Sequence, residues 1–179
     1  MGFSLADVPQ GTIRSLIGTR SLSAGTLCAS GTNTNAKCSG TTTYMIDGKL
    51  YTKTTASDMF LLPLIVDYIA PGSAAPPVKV SSAFGATTET AILTRYFFCG
   101  LDSAGTGYVY MSNAPSAAQA SQDDAQQLPA FDDGVCIVGI IKVVVAAGSV
   151  FTPRSTALTT AGAYTVTFTD VSVIPSTLP

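Results

Sequence analysis

Two adjacent pairs of aspartates are the first residues in this chain that are suited to chemistry, namely Asp123 with Asp124 and Asp132 with Asp133. Carboxylate pairs act as acid and base in glycoside hydrolysis and as oxygen ligands for Ca²⁺. Neither pair has the alternating spacing of a calcium loop, and the chain has no tryptophan to form the platform of a sugar cleft. We therefore interpret both pairs as solvated loop charge and predict no metal site and no cofactor.

Histidine is absent, which removes Ser-His-Asp and Cys-His nucleophiles, His-ligated metals and the usual acid–base group at neutral pH. The four cysteines, Cys28, Cys38, Cys99 and Cys136, lack the CxxC spacing of a zinc site. Cys99 and Cys136 adjoin apolar, β-prone runs, which predicts buried thiols. Cys28 and Cys38 bracket a polar loop and are left as either free or bonded. We predict no catalytic residue and expect that the protein is not an enzyme.

The seven tyrosines are a further candidate set, because tyrosine rings line many carbohydrate grooves. On strands they more often pack at the edge of a core or at a protein interface, and we favour that interpretation. They are Tyr44, Tyr51, Tyr68, Tyr96, Tyr108, Tyr110 and Tyr164.

Charged residues make up 11% of the 179 residues, against about 25% in an average protein. The net charge of −2 and the scattered basic residues argue against a nucleic-acid partner. The longest apolar run, residues 135–147, contains Lys142 and is too short to cross a bilayer, and no signal peptide is visible at the N-terminus. We therefore expect no membrane partner and synthesis in the cytoplasm. A surface with so few charges suits contact with other protein.

An Asp-Gly pair between two β-prone arms, at residues 42–54, is the strongest local signal in the chain. A two-residue type I′ turn requires positive φ at both central positions, which Asp47 tolerates and Gly48 adopts freely. One face of the hairpin then carries Met45 and Leu50, and the other carries Tyr44, Ile46 and Tyr51. The pattern leaves open which face is buried. The predicted pairs are Ile46 with Lys49, Met45 with Leu50, Tyr44 with Tyr51 and Thr43 with Thr52.

Runs of β-branched and aromatic residues predict the other strands. The apolar run at 135–145 indicates a central strand buried on both faces, with Gly139 as a bulge or a close approach. Near the C-terminus, Tyr164, Val166 and Phe168 alternate with threonines and are predicted to point inward. The predicted strands are residues 64–69, 78–80, 92–99, 108–111, 135–145 and 164–173, of which 92–99 and 108–111 form a second hairpin.

Less regular segments separate these strands. Ser57 and Asp58 are predicted to cap a short helical turn at residues 59–61 that Pro63 ends. Residues 112–129 read as a long Ala/Ser/Gln loop.

Residues 1–41 are interrupted by glycines and are predicted to form an extended N-terminal arm, either a flexible tail or a piece that orders on a partner. Within it, residues 12–17 carry a weak strand signal, and residues 26–39 read as a loop or an extended segment. Short strands separated by Gly/Pro turns predict an all-β domain at residues 42–179, a jelly-roll-like sandwich or barrel.

The order of several pieces resembles the small proteins that decorate or cement the heads of tailed bacteriophages. The resemblance covers roughly residues 42–175. The pieces that carry it are IDGKLYTK at 46–53, FFCGLD at 97–102 with AGT at 104–106, GIIKV at 139–143, VFTP at 150–153 with STAL at 155–158, and TVTFTD at 165–170.

The resemblance implies a virion structural protein on the capsid exterior, a homotrimer that clamps neighbouring subunits of the major capsid protein. Alternatives from other classes stay open. One is a tail-fibre or spike module that binds host glycan through its tyrosines. The others are a hydrolase that uses Asp123, Asp124, Asp132 or Asp133, and a major capsid protein in its own right.

Overall fold

The computed structural model describes residues 18–23, 25–68, 78–85, 87–88, 92–112 and 129–171. These residues form strands and turns without a helix, which confirms the all-β class. Among them there is accordingly no helix of the length and apolarity needed to cross a membrane. The strands are β1 (Arg20–Ser23), β2 (Leu27–Ala29), β3 (Ala36–Cys38), β4 (Thr42–Ile46), β5 (Lys49–Lys53), β6 (Ile65–Tyr68), β7 (Val78–Ser81), β8 (Phe84–Gly85), β9 (Leu93–Leu101), β10 (Gly107–Met111), β11 (Cys136–Val145), β12 (Val150–Phe151) and β13 (Tyr164–Asp170).

The hairpin of β4 and β5 has the predicted turn and register. Asp47 has φ 48° and Gly48 has φ 75°, as a type I′ turn requires. Each predicted cross-strand pair is present. Strand β1 adds to the other side of β4, with Arg20 opposite Met45, so that the sheet runs β1-β4-β5.

A four-stranded antiparallel sheet, in the order β10-β9-β11-β13, forms the centre of the fold. The predicted second hairpin is β9 with β10, and β11 is the predicted central strand. The register of β11 against β9 shifts between Ile137 and Gly139, which is the predicted bulge. A Cβ on Gly139 would lie 2.7 Å from Leu27 Cδ2, so this glycine also permits the close approach of β2. Both interpretations of Gly139 are confirmed.

The main core lies between one face of this sheet, the β1-β4-β5 sheet and the shorter strands. Tyr164, Val166 and Phe168 pack against it from β13 while Thr165 and Thr167 are exposed, which confirms the predicted alternation. Fully buried members of the core include Tyr44, Phe60, Leu62, Phe97, Leu101, Val138, Ile141, Val143, Phe151 and Leu158.

The opposite face of the four-stranded sheet carries a second apolar cluster. Phe131 packs edge-on against Phe98 with ring centroids 5.5 Å apart. Strands β9 and β11 are therefore buried on both faces, which was predicted for β11. The buried members are Tyr96, Phe98, Val135, Ile137, Ile140 and Val171.

Two local predictions are wrong or incomplete. The helical turn at residues 59–61 is absent, because Phe60 is extended and exchanges two backbone hydrogen bonds, of 2.8 and 3.0 Å, with Ala36. That pairing buries the Phe60 side chain completely, which a solvent-exposed turn of helix would not do. Residues 26–39, read as a loop or extended segment, contain the short hairpin of β2 and β3.

Other sequence predictions fall outside the described residues, namely the strand at 12–17 and most of the loop at 112–129. The described part of the predicted arm is not separate in its pairing, since β1 is a strand of the hairpin sheet. The boundary at residue 41 stays a prediction.

Candidate binding surface

The structure describes one of the two acidic pairs. Asp123 and Asp124 lie outside the described residues. Asp132 and Asp133 lie on the turn before β11, where the Asp132 carboxylate accepts a hydrogen bond of 3.0 Å from the Tyr110 hydroxyl. Within the described ranges, no group of three or more Cys, Asp or Glu side chains could hold a metal ion.

The four cysteines are free thiols. Cys28 lies opposite Lys37 and Cys38 lies opposite Leu27, so the two thiols project to opposite faces of the β2–β3 hairpin. Cys99 and Cys136 are fully buried, as predicted. Burial raises the pKa of the Cys99 thiol well above its ordinary value and that of Cys136 to about 11.

We expect one of the four thiols to react quickly with Ellman's reagent in the native protein. Cys28 is half-buried, whereas Cys38, Cys99 and Cys136 are buried and their pKa values are raised, so that little thiolate is present. Four thiols should react in guanidinium chloride. Cys28→Ser should remove the fast phase, and a fast phase that survives this change would contradict the burial pattern.

The tyrosines whose side chains the structure describes do not line one groove. Tyr44 is buried, stacks on Tyr51 with centroids 5.8 Å apart, and donates a hydrogen bond of 2.6 Å to the Asp102 carbonyl. Tyr164 donates to the Val150 carbonyl, and Tyr96 is buried in the second cluster. The side chain of Tyr68 is not described.

Tyr108 and Tyr110 are two residues apart on β10 and share one face, where each meets a carboxylate. The Tyr108 hydroxyl, on a side chain 37% exposed, donates to Asp102 Oδ2 at 3.3 Å, and Tyr110 donates to Asp132 Oδ2. Phe131 packs edge-on against Tyr110, with centroids 5.3 Å apart. We call these five residues the aromatic–carboxylate strip.

Burial and the hydrogen bond to the Asp132 carboxylate raise the pKa of Tyr110 to about 12. This folded-state pKa exceeds the unfolded value of about 10, so the protonated phenol stabilises the fold below pH 10 and that stabilisation is lost as the pH approaches 12. We expect the ultraviolet titration of Tyr110→Phe to lack a step near pH 12. In Asp132→Asn the step should move to lower pH, and an unmoved step would contradict this cause.

The β1-β4-β5 sheet has one inward and one outward face, and the register decides which is which. Tyr44, Ile46 and Ser21 are buried. The opposite face therefore points away from the core, and it carries Leu22 at 44% exposure and Leu50 at 62% exposure. We call this the hairpin outer face, and its members are Arg20, Leu22, Ser23, Thr43, Met45, Leu50 and Thr52.

The hairpin outer face is apolar and rich in hydroxyl groups, with Arg20 as its one charged member. Arg20, Met45 and Leu50 lie directly opposite one another across the three strands. The sequence predicted that Met45 and Leu50 share a face, but it did not place Leu22 there. Leu22 lies where the register of β1 shifts, between Ser21 and Ser23, so simple alternation does not place Leu22 and Ser23 on one face.

Comparisons of the chain with protein-family models, curated proteins and solved structures return no match. Function is therefore inferred from the surface of this chain.

Proposed function

We propose that this chain is a virion structural protein that binds the exterior of a phage capsid and cements neighbouring subunits of the major capsid protein. The observation that carries the proposal is the hairpin outer face. Protein interfaces combine an apolar centre with few charges to desolvate, and exposed Leu22 and Leu50 among hydroxyl-bearing side chains meet that description.

The proposal includes features that the resemblance implies. The protein acts as a homotrimer, its strands are arranged as a jelly-roll-like sandwich, and it has no catalytic activity, nucleic-acid partner or membrane partner. It is made in the host cytoplasm and resides on the virion. Because it binds the assembled shell and not free subunits, it stabilises the shell by mass action.

The decisive experiment measures whether purified protein binds empty, expanded capsids at a fixed copy number per capsid subunit. We expect saturable binding and greater resistance of the loaded capsids to heat. Failure to bind, or unchanged resistance to heat, would sink the proposal.

Variants of exposed leucines locate the contact. Leu50→Asp places a charge that must be desolvated in the hairpin outer face and should weaken capsid binding by about tenfold or more. Ile92→Asp is the matched control, because Ile92 is 60% exposed, directly before β9 and outside that face. Equal binding by both variants would place the contact elsewhere.

The aromatic–carboxylate strip favours a second candidate function, a tail-fibre or spike module that binds host glycan. A sugar ring packs on an aromatic face while its hydroxyls bond to carboxylates, and Tyr108 with Asp102 offers both groups at the surface. A glycan array distinguishes the candidates. Signals that Tyr108→Ala abolishes would support glycan binding, and an array without signals above background would dismiss it.

A further inference from the structure

Strand β5 is an edge of its sheet, and its outward backbone groups are open. Ile46 and Lys49 flank a two-residue turn and form a hydrogen-bonded pair, so hydrogen bonding to β4 alternates along β5. The N–H and C=O groups of Leu50 and Thr52 consequently point away from β4. No described residue bonds to them, and both side chains are exposed.

The edge of β13 is closed at Tyr164 and Val166, in contrast. Thr160 Oγ1 lies 3.1 Å from both the N–H and the carbonyl oxygen of Val166, so one side chain satisfies both outward groups. Tyr164 exchanges backbone bonds with Ala161 on the same edge. An open edge is a template for pairing with another extended chain, and a capped edge is not.

Two lysines on β5 favour an acidic segment as the partner of its edge. Lys49 and Lys53 lie four residues apart on the face of β5 that Tyr51 shares. Neither lysine forms an ion pair with any residue that the structure describes. A second copy of β5 paired about Tyr51 would set Lys49 against Lys53, which is unfavourable, whereas a segment with carboxylates four residues apart would meet both lysines.

We infer that the edge of β5 binds an extended segment of a partner protein by antiparallel strand addition, and that this segment has acidic residues opposite Lys49 and Lys53. Its backbone bonds to the open groups of Leu50 and Thr52, and an apolar residue opposite Leu50 extends the hairpin outer face. The inference rests on the proposed function in one respect, since the partner would then be the capsid subunit.

A peptide test does not depend on capsids. The full-length ¹⁵N-labelled protein is titrated with a peptide whose core is Glu-Thr-Tyr-Val-Glu, and in parallel with one that has lysine in place of each glutamate. We expect the acidic peptide to shift the amide signals of Leu50 and Thr52 and to protect them from hydrogen exchange. Its affinity should exceed that of the basic peptide by about tenfold and fall with added salt.

Three variants separate backbone pairing from side-chain contact. Leu50→Pro removes an outward N–H without breaking a bond to β4 and should lower the affinity by about tenfold or more. Leu50→Thr keeps that N–H and should retain most of the affinity. Lys49→Glu combined with Lys53→Glu should reverse the preference, so that the basic peptide binds better. Amide dispersion in the NMR spectrum checks that each variant is folded.

Several outcomes would overturn the inference: no response of these amides to either peptide, equal binding of both peptides, or burial of the β5 edge in an oligomer of this chain. Equal losses in Leu50→Pro and Leu50→Thr would also count against it. Peptide binding with no capsid binding would leave strand addition standing and remove the proposed function. Capsid binding that Leu50→Pro leaves unchanged would remove strand addition as the mode of capsid contact and leave the proposed function standing.

Discussion

Phe97→Ala is expected to lower the free energy of unfolding by about 3–5 kcal/mol, the range for truncating a buried phenylalanine. Phe97 is fully buried on β9, and its ring lies 6.5 Å from that of Phe84 and 6.2 Å from that of Phe151. Truncation removes the apolar contacts and leaves a cavity between rings that belong to separate strands. Since small domains have a free energy of unfolding of about 5–15 kcal/mol, this change would remove a large share of the stability. Urea unfolding followed by circular dichroism measures it.

Two further variants test the cause. Phe97→Leu keeps most of the volume and should cost about 1.5 kcal/mol or less. Ile92→Ala truncates a residue that is 60% exposed and should change stability by about 0.5 kcal/mol or less. A small effect of Phe97→Ala, similar to that of Ile92→Ala, would show that the three rings do not hold β8 and β12 on the central sheet.

Local patterns predicted those parts of the fold in which neighbours in sequence are neighbours in space. Asp47 and Gly48 adopt the positive φ of a type I′ turn, and that turn determined the whole register of β4 and β5. The long apolar run of β11, which Lys142 alone interrupts, marked a strand buried on both faces. Gly139 stood out because a glycine inside such a run needs a reason in packing.

Long-range pairing was not predictable from the same patterns. Phe60 reads as part of a short capped turn, and its actual partner is Ala36, which lies in a stretch dominated by Ser, Thr and Asn. The pairing of β1 with β4 likewise joins residues for which no strand was predicted to a strand with a strong signal. Tertiary burial decides such cases, because local propensities differ by only about 1 kcal/mol.

The sequence predicted part of the hairpin outer face. Alternation placed Met45 and Leu50 together, but either face of the hairpin had enough apolar side chains to be buried. The Tyr44 hydroxyl resolves the ambiguity, because it reaches the Asp102 carbonyl on the second hairpin and so turns the tyrosine face inward. Leu50 and Leu22 are left exposed as a consequence.

Gly107→Ala is expected to destabilise the protein by about 1–3 kcal/mol, the usual cost of forcing an extra carbon into packed structure. A Cβ on Gly107 would lie 1.9 Å from the Met59 carbonyl oxygen and 3.1 Å from Phe60 Cδ1. Backbone cannot yield as a flexible side chain can, so β10 must move away from residues 59–60. The displacement reaches Ala36, because Phe60 bonds to its backbone. Thermal unfolding and the exchange rate of the Phe60 amide measure both consequences.

Two other glycines make the comparison specific, because they separate lack of space from backbone conformation. Gly31 has no neighbour within 4 Å of a built Cβ and no positive φ, so Gly31→Ala should be neutral or slightly stabilising. Gly134 has equal space but φ 79°, so Gly134→Ala should cost about 1 kcal/mol from backbone strain alone. Gly107 has no positive φ, and its cost must come from the contact with Met59. A loss in Gly107→Ala no larger than in Gly31→Ala would mean that β10 does not pack tightly on residues 59–60. The turn between β9 and β10, whose Asp102 carbonyl accepts the Tyr44 hydrogen bond, would then lack that support.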